Sequence, residues 1–185
     1  MRYRRLSVAA ALAVATPNAA QAAVQVIGPL FAQTCYEAAR AERASPGAVK
    51  QCTQALASEP LSLRDRAATN VNRGILQMYE RKYEVALDDY EEAIRLRPTM
   101  AEAYVNKGIA LLRLGNRTDE AVQALTTGID RNTVKPEVAH YMRGIAYEIL
   151  GNAKGAYLDY RKAAELKPTW AEPQTQLKRF NVVSR

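Results

Sequence analysis

Leu96-Arg97-Pro98-Thr99-Met100-Ala101-Glu102-Ala103-Tyr104 and Leu166-Lys167-Pro168-Thr169-Trp170-Ala171-Glu172-Pro173 are nearly the same text, written 70 residues apart. Working outward, Gly recurs in matching surroundings at Arg73-Gly74-Ile75, Lys107-Gly108-Ile109 and Arg143-Gly144-Ile145, at spacings of 34 and 36. Ala86, Ala121 and Ala156 follow at spacings of 35 and 35. A period near 34 with two apolar segments per unit marks stacked helix-turn-helix repeats. Within a unit the apolar residues fall at helical spacing: Val71, Ile75 and Met78, then Tyr83, Ala86, Leu87, Tyr90 and Ile94.

Each unit carries its own punctuation. Gly115-Asn116 and Gly151-Asn152 are placed to end first helices, because Gly adopts the left-handed conformation at little cost. Pro98 and Pro168 block continuation of second helices. Thr99-x-x-Glu102 and Thr169-x-x-Glu172 read as capping boxes for the helices that follow. Gly74, Gly108 and Gly144 are expected to face Ala86, Ala121 and Ala156, letting paired helices approach closely. Gly128 stands where Ala93 and Ala163 stand in neighbouring units, which predicts looser packing there.

These residues resemble the tetratricopeptide repeat, whose unit carries W-x2-L-G-x2-Y, then A-x3-F, then P. Tyr104, Gly108 and Leu111 match the first part of one unit; His140, Gly144 and Tyr147 match it in the next. Ala86 and Tyr90, Ala121 and Leu125, and Ala156 and Tyr160 match the second part. Arg73, Lys107 and Arg143 depart from the family's Leu before Gly. The resemblance implies an all-α fold, a right-handed superhelical stack of antiparallel helix hairpins with a C-terminal capping helix. Units are expected over residues 67–98, 101–134 and 137–168. A degenerate unit over 31–60 precedes them, after an extended linker over 23–30, and a four-residue insertion separates it from the next unit. A capping helix over 169–180 and a frayed tail over 181–185 complete the division.

The N-terminus reads as an export signal over 1–22. Arg2, Arg4 and Arg5 precede the apolar run Leu6–Thr16, and Ala20-Gln21-Ala22 supplies a small-x-small cleavage pattern. The run is too short to span a bilayer; a buried N-terminal helix is the rival reading. Removing the three Arg lowers the formal charge from +7 to +4, which is no nucleic-acid footprint. A periplasmic or secreted chain follows, without an integral membrane span.

Cys35 and Cys52 are the only cysteines, and they lie on opposite helices of the first unit, with their sequence midpoint close to its turn. That placement permits a disulfide worth about 3 kcal/mol on the chain-entropy account. Two reduced core cysteines are the other reading.

Catalytic chemistry finds little in the sequence. The single His140 sits where the repeat wants a bulky packing residue. Asp88, Asp89, Glu91 and Glu92 read as a solvated helix face, and Asp119 and Glu120 as favourable charges at a helix N-terminus. No cofactor, metal site or enzymatic activity is expected. In arrays of the resembled family the first helices line a concave groove. Register places Val71, Ile75, Val105, Ile109, Tyr141 and Ile145 there, either as an apolar strip for a protein or peptide partner or as a seam between helices. Asn72 and Asn106 match the Asn of the family's clamp for acidic chaperone tails. Val71, Ile75, Val138 and Met142 stand where its cations belong, so that specificity is not expected. The function implied is a protein-interaction module of the cell envelope; a scaffolding subunit of an envelope assembly is the alternative.

Overall fold

The computed structural model describes residues 2–5, 21–26, 30–41 and 47–183. The apolar run Leu6–Thr16 and the Ser45-Pro46 part of the first turn lie outside these residues. The chain forms a solenoid of helix pairs: α1 Leu30–Arg40 with α2 Ala48–Ser58, α3 Leu63–Tyr79 with α4 Tyr83–Leu96, α5 Ala101–Leu114 with α6 Thr118–Asp130, and α7 Pro136–Ile149 with α8 Ala153–Leu166. The short α9, Ala171–Leu177, packs on α8. Each helix packs on its sequence neighbours, and the first helices α3, α5 and α7 also touch in succession. One core of Ala, Val, Ile, Leu and Tyr runs along the stack. Among the described residues no helix is long and apolar enough to cross a membrane.

Glycine acts in two ways. Gly115 and Gly151 take φ of 81° and 75° in the turn after the first helix of their units. Arg81 occupies the equivalent turn in its own unit, with φ 60°. Gly74, Gly108 and Gly144 act by lacking a side chain; Gly108 does face Ala121, whose carbonyl oxygen would lie 3.2 Å from an added Cβ, but the nearest partners are larger residues than the expected alanines. A Cβ at Gly74 or Gly144 would lie 2.5 or 2.7 Å from the ring of Tyr90 or Tyr160, and one at Gly108 would lie 2.5 Å from Leu125. The large residue of the A-x3-F pattern therefore fills the hollow, one helical turn beyond the Ala. Nor is Gly128 a loose spot. Val105 reaches into the space its Cβ would take, at 2.5 Å, so α5 and α6 meet closely there.

Three other expectations need correction. The helices after Pro98 and Pro168 have no threonine caps. Their N-caps are Met100 and Trp170, without side-chain cap bonds. Pro98-Thr99 and Pro168-Thr169 instead form turns closed by Met100 N–H to Arg97 O and Trp170 N–H to Lys167 O, both 3.0 Å. Glu102 turns away from the cap and accepts from Val134 N–H at 3.2 Å. The four-residue insertion lengthens α3 to 17 residues against 14 in α5 and α7. Ser62 starts this extra turn by accepting from Asp65 N–H at 3.1 Å. Finally, the tail is not frayed through residue 183. Strand β2, Phe180–Val183, pairs antiparallel with strand β1, Arg2–Arg5, so Arg2 faces Val183 and Arg5 faces Phe180.

The degenerate first unit has its own fastenings. Cys35 and Cys52 form a disulfide across α1 and α2, with Cα atoms 4.9 Å apart. Glu59, just past α2, accepts from Phe31 N–H at 2.8 Å and Ala32 N–H at 3.0 Å. A carboxylate thereby satisfies two of the otherwise unpaired donors of the first turn of α1 and meets the positive end of its dipole.

Candidate functional site

The three first helices α3, α5 and α7 present residues in repeat register. All six strip residues are buried: Val71 and Ile75 completely, Val105 and Ile109 to 2% exposure, Tyr141 to 3% and Ile145 to 7%. None forms an open apolar surface. Tyr141 is enclosed at the C-terminal end, with its ring 4.7 Å from that of Trp170 and 5.5 Å from that of Tyr160.

Asn72 and Asn106 are each fully buried, one residue beyond Val71 and Val105. They reach the chain's own N-terminal segment, Gln21–Val26, which has no regular secondary structure. Asn72 Oδ1 accepts from Val24 N–H at 2.8 Å, and Asn72 Nδ2 donates to Val24 O at 2.7 Å. One side-chain amide thus holds both backbone groups of one residue, which requires an extended backbone and reads no side chain. Asn106 Nδ2 donates to Ala22 O at 3.5 Å, while Asn106 Oδ1 is buried without a partner. Val26 belongs to the core, and Ala23 and Val24 pack against it. Val24, in the stretch expected to be a linker, is therefore anchored on Asn72, and Ala22, the last residue of the expected export signal, on Asn106. In the unit over 137–168 the equivalent position is Met142, which is buried and offers no amide.

Charged residues expected on solvated faces also work inside the stack. Arg73 makes a two-pronged ion pair with Asp89, with Nη2–Oδ1 at 2.6 Å and Nε–Oδ2 at 2.9 Å, and reaches Thr53 of α2 at 3.2 Å. Arg143 repeats the arrangement with Asp159 at 2.7 and 2.9 Å and reaches Thr126 of α6 at 3.0 Å. The departures from the repeat's Leu thus staple successive units together. Asp89 is only 4% exposed, so it does not belong to a solvated face. Lys107 has Gln123 at the matching position and pairs with Glu91 of the previous unit instead, at 2.8 Å. His140 is half-buried, its Nδ1 2.8 Å from Asp159 Oδ1.

Environment separates the two aspartates. Burial pushes the Asp159 carboxyl up, but hydrogen bonds from His140 and Arg143 outweigh it and hold the group below the ordinary carboxylate range. At Asp89 burial wins over the Arg73 contacts, and the group is raised. Burial, with nearby Glu148, pushes the Tyr160 hydroxyl well up, so it remains a donor; it donates to Glu148 Oε2 at 2.8 Å. Among the described residues no group of three His, Cys, Asp or Glu is placed to hold a metal ion.

Models described as "TPR repeat" and "Tetratricopeptide repeat" match residues 79–115 and 115–169. The chain belongs to the tetratricopeptide repeat family. Solved structures agree. The tetratricopeptide domain of Arabidopsis OM64 is similar at 27% identity and TM-score 0.60, over 64% of this chain and 96% of that one. The second tetratricopeptide domain of human RPAP3, in complex with the HSP70 peptide SGPTIEEVD, is similar at 26% identity and TM-score 0.59, over 63% of this chain and 96% of that one. MamA shares the fold at 22% identity and TM-score 0.66, over 82% of each chain. No curated protein matches the chain by sequence. A protein-interaction module of this kind is what the family and its peptide-bound members support.

Proposed function

We propose that this chain is a non-catalytic interaction module of the bacterial cell envelope and holds an extended segment of a partner protein along α3, α5 and α7. The observation that carries this reading is the paired hydrogen bond between Asn72 and both backbone groups of Val24. An amide buried on a concave face and aimed at extended backbone is an arrangement for binding peptide. The similar RPAP3 domain holds a peptide, which supports the same use of the fold. The surroundings here are apolar, with Val71, Ile75, Val138 and Met142 all buried, so they favour an apolar segment over an acidic tail. The export-signal pattern over 1–22 supports the compartment, as does a disulfide suited to oxidising surroundings.

Selection of random eight-residue peptides against the exported chain tests the binding reading. Small and β-branched apolar residues should be enriched, and binding should fall at least tenfold in Asn72→Ala. Selected peptides indifferent to that substitution would reject the groove. N-terminal sequencing of the exported chain should begin at Ala23; an intact Met1 would reject the signal.

A further inference from the structure

The groove already has an occupant. We propose that Gln21–Val26 is an intramolecular competitor that fills the backbone-reading site of the groove and must be displaced by an extended apolar partner segment able to meet both Asn72 and Asn106. This rests on the groove being the partner site.

Three observations carry it. First, the segment is held as a ligand would be held. Asn72 binds the N–H and C=O of Val24 at 2.8 and 2.7 Å, across 48 residues of sequence, and no side chain of the segment is needed for that recognition. Secondly, its side chains suit the apolar surroundings. Ala22 and Val26 are buried, at 3% and 4% exposure, whereas Gln25 between them is exposed. Ala23 and Val24 are half-buried and Ala23 N–H turns back to Gln21 O at 3.1 Å, so the segment lays small and β-branched apolar residues against the core without strict alternation. Thirdly, the fit is incomplete. Asn106 makes one long bond of 3.5 Å to Ala22 O, and its Oδ1 is left buried without a partner. A buried acceptor left unmet is costly. A segment that supplies an N–H to Asn106 Oδ1 while keeping the Asn72 pair gains what the resident segment forgoes. The resident segment is therefore replaceable by a better-matched chain of the same chemistry: backbone open to both asparagines, with small or β-branched apolar residues.

Tethering makes such a competitor effective. A short covalent link gives an effective concentration on the order of millimolar. A tethered segment whose intrinsic dissociation constant is about 100 µM would then weaken a competing peptide about tenfold. Cleavage after Ala22 would remove the Asn106 contact and keep the Asn72 pair, so the processed chain retains a shorter competitor.

The test uses the unprocessed chain, which keeps Gln21 and Ala22, a labelled peptide Gln-Ala-Ala-Val-Gln-Val, and two variants that weaken the resident segment. Val24→Pro removes the N–H that Asn72 accepts. Val26→Asp places a charge in the apolar core. Fluorescence anisotropy should show both variants binding the peptide at least tenfold tighter than the unaltered chain, and adding Asn72→Ala should erase the gain. Equal, Asn72-dependent binding by the unaltered chain and the variants would overturn the competitor and leave the groove as a binding site. Absence of binding to every folded chain would overturn both readings. A difference that grows with protein concentration would assign the occupant to a second copy and overturn the intramolecular contact. Loss of folding in both variants would make the segment a structural part of the core, again against the proposal. Amide exchange of Val24 in the unaltered chain gives an independent readout: protection is expected, and free exchange would overturn occupancy.

Discussion

Adding one methyl group at Gly144 tests the packing that builds the stack. A Cβ there would lie 2.7 Å from Tyr160 Cε1, 2.8 Å from Cδ1 and 3.3 Å from Cζ. Carbon atoms rest at roughly 3.5–4.0 Å, so the ring must retreat by about 1 Å. Tyr160 has little freedom to do so. It is fully buried, its hydroxyl is bonded to Glu148, and Tyr141 and Phe180 place their rings 5.5 and 6.1 Å away. Overpacking of this kind costs about 1–3 kcal/mol. The helix itself gains about 1 kcal/mol when Ala replaces Gly. Gly144→Ala should therefore destabilise by up to about 2 kcal/mol, lowering Tm by as much as about 4–8 °C at this chain length. Tyr160→Ala removes the obstacle, and in that background Gly144→Ala should become neutral or stabilising. A double-mutant cycle by urea denaturation should give a coupling of about 2 kcal/mol. The same cost in both backgrounds would refute the assignment of Tyr160 as the partner; a stabilising Gly144→Ala in the unaltered chain would refute the close approach altogether.

Further outcomes follow from the staples. Asp159→Asn should cost about 3 kcal/mol at neutral pH, because Arg143 and His140 lose the charge they face. The folded-state group lies below its ordinary range, so its contribution is present above the unfolded pKa and is lost as pH falls through the folded one. The difference from the unaltered chain should therefore shrink in acid denaturation series below about pH 4; an unchanged difference would refute the linkage. Asp89 is raised, so ionising it costs stability as pH rises through its folded value. Asp89→Asn should consequently be milder than Asp159→Asn at neutral pH, and equal or greater cost would count against this environment. Reduction of the Cys35–Cys52 disulfide opens a loop 17 residues apart in sequence and should cost about 3 kcal/mol on the entropy model. Hydrogen exchange should show the loss concentrated in α1 and α2, and protection changed equally in α7 would refute a local role.

The repeat was legible because periodic chemistry leaves periodic text. Glycine hollows and the A-x3-F pairs recur every 34 to 36 residues, the post-helix prolines Pro98 and Pro168 lie two periods apart, and a helix pair has few other ways to bury such a pattern. The ion-pair staples were legible in principle and were not read. Arg73 with Asp89 and Arg143 with Asp159 share one spacing of 16, and the third unit breaks it with Gln123. A charge run looks solvated until the facing helix is known. The false capping boxes have a similar cause: Thr99-x-x-Glu102 fits a local rule, but the Pro98-Thr99 turn hands the cap position to Met100.

By itself the sequence determined the period, the helix pairs, the close-approach glycines and the opposition of Cys35 to Cys52, since each depends on neighbours within one repeat. Tertiary structure alone decided what lies against the first helices α3, α5 and α7. Whether Ile109 is groove or seam depends on which chain lies against it. The union of Val24 with Asn72 spans 48 residues and rests on backbone groups that every residue type carries, so it leaves no mark in the residues themselves.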